Sequence, residues 1–80
     1  MRLWELKPGE EARVRQVITA GGMGRRLMDL GLVPGTPVVC LGENPGRNLR
    51  AYYIRGAVIA LREGDSNSVL LHGKGGTSWV

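Results

Sequence analysis

The chain contains no phenylalanine, one cysteine and one histidine among its 80 residues. Cys40, being alone, excludes an intramolecular disulfide and a cysteine-based metal cluster, and it fits a reducing compartment. With only His72 beside it, no Ser/His/Asp or Cys/His arrangement can be assembled. None of the seven acidic residues falls in a recognisable carboxylate motif, so no enzymatic activity is expected. A transition-metal site needs three or four converging ligands. Cys40 and His72 fall in different strands with no second His or Cys near either, so neither a metal site nor a cofactor is expected. Apolar runs long enough to cross a bilayer are also missing, as a span takes about 20 residues. The opening MRLWELKPGEEARV has no apolar signal-peptide region. The expected location is cytoplasmic, and any work at a membrane would go through a partner.

What is present describes one small β domain. Hydrophobic residues make up 42% of the chain, enough for a core, which must come from Val, Leu, Ile, Ala and Met. Thirteen Gly and four Pro lie between short apolar runs, a composition of tight turns rather than of a helical bundle. Net charge is +4, but the basic residues are scattered, with Arg25-Arg26 the one adjacent pair. A nucleic-acid binder usually gathers its charge into a stripe.

Along the chain, Leu3 and Leu6 suit a single helical or 3₁₀ turn before the Pro8-Gly9 turn. EARVRQVIT alternates at Ala12 and Val14 and then loses phase, which predicts a strand bulged near Gln16. At Met23 the period changes: Met23, Leu27 and Leu30 share one helical face, opposite Arg25, Arg26 and Asp29. Gly31 and Pro34 end this two-turn helix. TPVVCLGE predicts a strand apolar on both faces, with the barrel interior on one side and the helix on the other. LRAYYIRG and AVIALRE are two strands joined at Gly56, GDSN is a turn, and SVLLH is the last strand. Five short strands predict a small closed barrel, with the helix over one open end, because closure removes exposed sheet edges. Residues 1–73 form the single domain. The Gly-rich residues 74–80 read as a flexible tail; GKGGTSW lacks the Gly-Lys-Ser/Thr ending and the following helix of a phosphate loop.

Three blocks carry a family resemblance. These are L6-K7-P8-G9, then R26-L27-M28-D29-L30-G31-L32-V33-P34-G35-T36-P37-V38, then G56-A57-V58-I59-A60-L61-R62. In this order and spacing the chain resembles the FeoA family of ferrous iron transport accessory proteins. The resemblance implies a mainly β, SH3-like barrel of about five strands with one short helix after the first long strand. It also implies a cytoplasmic, non-enzymatic role beside a membrane ferrous iron transporter that carries a cytosolic GTPase domain. EGDSNSV departs from the family pattern, which has a short helix before the last strand, so that helix is expected to be missing or reduced to one turn.

The helix is the better candidate for a partner surface. Arg25, Arg26, Met28 and Asp29 are the expected contact residues, with Tyr52 added, since methionine adapts to irregular surfaces. An alternative is a small RNA-binding barrel in which Arg13, Arg15, Arg50 and Arg55 line a face and Tyr52 stacks on a base. Glu10, Glu11 and Glu43 interrupt that positive surface, and nucleic acid is the weaker reading. A third is a stand-alone relative of the SH3-like domains appended to metal-responsive repressors.

Overall fold

A computed structural model describes residues 1–19 and 21–72. A 3₁₀ turn, η1 (Leu3–Glu5), precedes β1 (Glu11–Val17), α1 (Gly21–Asp29), β2 (Pro37–Glu43), β3 (Leu49–Ile54), β4 (Ala57–Arg62), α2 (Glu63–Ser66) and β5 (Val69–Leu71). The strands form one antiparallel sheet in the order β4-β3-β2-β1-β5. Curling of this sheet gathers Leu3, Leu6, Val14, Leu27, Leu32, Val38, Tyr52, Ile54 and Val69 into one fully enclosed core. The expected tail lies outside the described residues.

Local sequence explains most of these elements. Ala12 and Val14 are buried at alternate positions of β1, and the register then slips between Val14 and Gln16, where the bulge was expected. Arg55 and Gly56, both at positive φ (51° and 85°), form a two-residue hairpin turn matched to the twist of β3 and β4. The loop after α1 returns the chain to the sheet: Gly35 N–H donates to the Val14 carbonyl at 2.8 Å, and Val14 N–H donates to Thr36 at 2.9 Å.

Two expectations need correction. The barrel is not closed by hydrogen bonds, because β4 and β5 do not pair and both are sheet edges. α2 intervenes: its single turn carries the chain from β4 to β5 and packs on η1 with Ser66 buried. The one-turn helix is thus retained here. Nor does α1 cover the outer face of β2, since it packs against β1 instead. A second register shift, between Cys40 and Gly42, leaves Leu41 outward and 49% exposed.

The two sheet edges differ. β5 is covered by the N-terminal segment: Arg2 bridges Leu70, and Leu71 N–H donates to the Met1 carbonyl at 2.6 Å. β4 pairs with β3 on one side only.

Candidate functional site

α1 carries the residues expected to meet a partner, and two glycines set its position. Gly24 rests on the chain before the helix, where an added Cβ would collide with the Thr19 carbonyl oxygen. Gly31, at φ +110°, ends the helix in a left-handed cap. Leu32 N–H donates to Leu27 at 3.2 Å and Gly31 N–H to Met28 at 2.9 Å, the paired bonds of a Schellman motif. Leu27 and Leu32, the residues flanking that motif, are both buried in the core. A Cβ on Gly31 would stand 2.6 Å from Arg55 Cδ and 3.3 Å from Ile54 Cγ2, so the helix end sits tightly on the β3–β4 hairpin.

This placement divides the expected contact residues between two surfaces. Arg25 and the 46% exposed Met28 line a shallow depression with Thr19, Gly21, Gly22 and Gly24. Arg26 faces the other way. It borders a cleft of about 520 Å³ between Met23, Leu27 and Leu30 of α1 and Ile59 to Arg62 of β4, lined also by Leu49 and Asp65. Asp29 is exposed on the helix. Among the described residues, Arg25, Arg26, Asp29, Arg62 and Asp65 make no ion pair; the one pair present joins Arg50 and Glu43 at 3.4 Å.

Tyr52 is not a surface residue. Its ring is fully enclosed, with the hydroxyl 3.4 Å from the Leu3 carbonyl, which takes it out of both the partner surface and any base stack. The inward parity of β3 falls on Tyr52 and Ile54, and Tyr53 takes the outward position at 47% exposure. Burial pushes the Tyr52 phenol above its ordinary range, opposed in part by Ser66 and Arg50. The Ser66 hydroxyl is itself buried without a well-formed hydrogen bond. Cys40 lies directly across the ladder from Tyr52, and burial raises its thiol likewise.

Arg50 is also turned inward. It stacks 4.6 Å from the Trp4 ring centre, donates to the Trp4 carbonyl, and donates to the Leu6 carbonyl at 3.0 Å. Arg13 Nη1 donates to the Gly35 carbonyl at 2.9 Å. Two of the arginines considered for a nucleic-acid face are therefore engaged with the fold's own backbone.

Sequence reasoning missed an apolar row on the outer sheet face. Val39, Tyr53 and Val58 are successive cross-strand neighbours over β2, β3 and β4, and Val58 is 64% exposed. The signal was present in YYIRGAVIAL, where strict alternation about a two-residue turn puts Tyr53 and Val58 together. Among the described residues no group of three or more His, Cys, Asp or Glu could hold a metal ion, and no helix is long and apolar enough to cross a membrane.

A five-stranded antiparallel sheet of this order, with a short helix between its first two strands, is an SH3-like domain. Residues 1–72 match the FeoA domain, and the chain belongs to the FeoA family. Its fold is similar to that of FeoA from Chlorobium tepidum (33% identity, TM-score 0.82, covering 90% of this chain and 69% of that one). It is also similar to zinc-complexed FeoA from Stenotrophomonas maltophilia, at 28% identity and TM-score 0.82 over 90% of this chain and 89% of that one. That protein is described as a prokaryotic SH3 domain protein and a candidate ferrous iron transport activating factor. A manganese-dependent transcriptional repressor shares the fold alone, at 17% identity and TM-score 0.78 over 89% of this chain and 39% of that one. Among curated proteins no sequence match accompanies the family assignment.

Proposed function

We propose that this chain is a non-enzymatic, cytoplasmic accessory protein of ferrous iron uptake that docks on the GTPase domain of a membrane iron transporter. Membership of the FeoA family supports the iron-transport role, as does the activating-factor description of the Stenotrophomonas relative. The observation that carries the docking surface is the outward face of α1. There Arg25, Met28 and Asp29 stand exposed, with Arg26 at the border of the β4 cleft, and their charges make no ion pair within the described chain. Exposed charges of this kind steer a partner of opposite charge and set its orientation. Binding biases transport only if the domain prefers one state of the GTPase over another.

The test is a titration of isotope-labelled protein with the transporter's isolated GTPase domain, followed through backbone amide shifts. Shifts should concentrate on residues 21–31. Replacing both Arg25 and Arg26 by Glu should weaken binding at least about tenfold, roughly 1.4 kcal/mol, with the amide spectrum of the sheet preserved. Equal affinity in that variant removes the helix face from the reading.

A further inference from the structure

We infer that the free edge of β4, together with the cleft beneath α1, is a strand-addition groove for an extended peptide segment of a partner protein. The segment it fits has apolar side chains at alternate positions and carries a carboxylate. This inference stands apart from the transporter reading and concerns a different surface, with Arg26 at the border of both.

The backbone is the first argument. Ile54 and Ala57 flank a two-residue turn, so they form a hydrogen-bonded pair, and the pairs alternate from there along the antiparallel ladder. Val58 and Ala60 then turn their N–H and C=O groups away from β3, toward the side where the sheet has no further strand. An unpaired row of this kind is a template for another strand, and proteins usually blunt it with charge, proline or a cover. β5 has such a cover in Met1 and Arg2. β4 runs Ala-Val-Ile-Ala-Leu before its first charge at Arg62, and among the described residues it has none.

Side chains supply the occupant. An added strand would send alternate residues into the cleft against Ile59, Leu27 and Leu30, which are already apolar. Its other residues would continue the outward row that ends at exposed Val58. Arg26 and Arg62 border the cleft without an ion pair, against the single carboxylate of Asp65, so its charge balance is positive. A second copy of this chain would bring two such edges and their arginines together, which disfavours self-pairing. An acidic, apolar extended segment satisfies both the ladder and the charge.

The experiment titrates the isotope-labelled chain with a short synthetic peptide: valine at alternate positions, threonine between, a glutamate at each end, both termini blocked. Two further peptides carry N-methyl groups on one or the other alternate set of amides. Amide shifts and slowed exchange should centre on Val58 and Ala60. One methylated peptide should bind at least about fivefold more weakly than the parent, as loss of a single hydrogen bond gives, while the other binds as the parent does. Ala60→Pro, which removes an outward N–H at an edge position where proline is tolerated, should abolish the effect. So should Arg26→Glu combined with Arg62→Glu. No shift at Val58 and Ala60 at millimolar peptide, or equal binding by all three peptides, overturns the groove. Because no transporter is present, that result would leave docking through the outer face of α1 unaffected.

Discussion

Arg50 holds the start of the chain against the rest of the fold. Its guanidinium stacks on Trp4 and donates to two carbonyls of the segment around η1, which ties residues more than forty positions apart. Lysine, a point charge on a flexible stem, cannot reproduce a planar fork with a stacking face. Arg50→Ala should therefore destabilise the domain by roughly 2 kcal/mol, and Arg50→Lys should recover only part of that, read from urea unfolding midpoints. The arginine was legible in the sequence as a charge but not as a latch. Two of its partners are backbone carbonyls, which are the same at every position and leave no trace in residue identity. Tyr52 was misplaced for a related reason. In AYYI either tyrosine can face inward, and the choice is made by register with β2, where Cys40 and not Val39 stands opposite Tyr52.

At the scale of elements, α1 depends more on its ends than on its interior. A helix of 9 residues with three glycines has little intrinsic stability, so its docking decides whether it forms. Gly31→Ala combines a positive-φ penalty with a 2.6 Å approach to Arg55 and should cost roughly 2 kcal/mol. Near-native sheet signals with weakened helix amide protection would identify that loss. η1 and its C-terminal cap supply two fully buried leucines, Leu3 and Leu6, and Leu3→Ala should cost about 3 kcal/mol through the cavity it leaves. The run of elements, the bulge in β1 and the C-terminal stop of α1 were all readable, because each is written locally in periodicity or turn chemistry. The helix start was not. Gly21 and Gly22 give no capping signal, and the close approach of Gly24 to the Thr19 backbone leaves no mark in the hydrophobic period. The failure of the sheet to close was equally hidden, since it depends on where α2 carries the chain between β4 and β5.

For the molecule as a whole, the two raised acids at the centre of the sheet govern stability in alkali. Cys40 and Tyr52 both hold their protons more tightly in the folded state than in the unfolded one, because burial disfavours the thiolate and the phenolate. Between the unfolded and folded pKa of each group the unfolded chain has lost a proton that the folded chain keeps, so stability falls as pH rises. Thermal unfolding midpoints should be insensitive to these two groups up to about pH 8 and decline from roughly pH 9 upward, the ordinary ranges of free thiol and phenol. Cys40→Ser and Tyr52→Phe should each flatten part of that decline. A profile unchanged in both variants would place the alkaline sensitivity elsewhere.

The staple between Met1 and Leu71, with β1 lying beside β5, bears on the moment of synthesis. During synthesis η1 and β1 emerge well before β5, the strand that flanks them on one side. Until residues 69–71 are free, Leu3, Leu6 and Val14 lack part of the enclosure that buries them. The domain therefore cannot mature vectorially from its N-terminus. Its enclosure is completed only after β5 has cleared the exit tunnel.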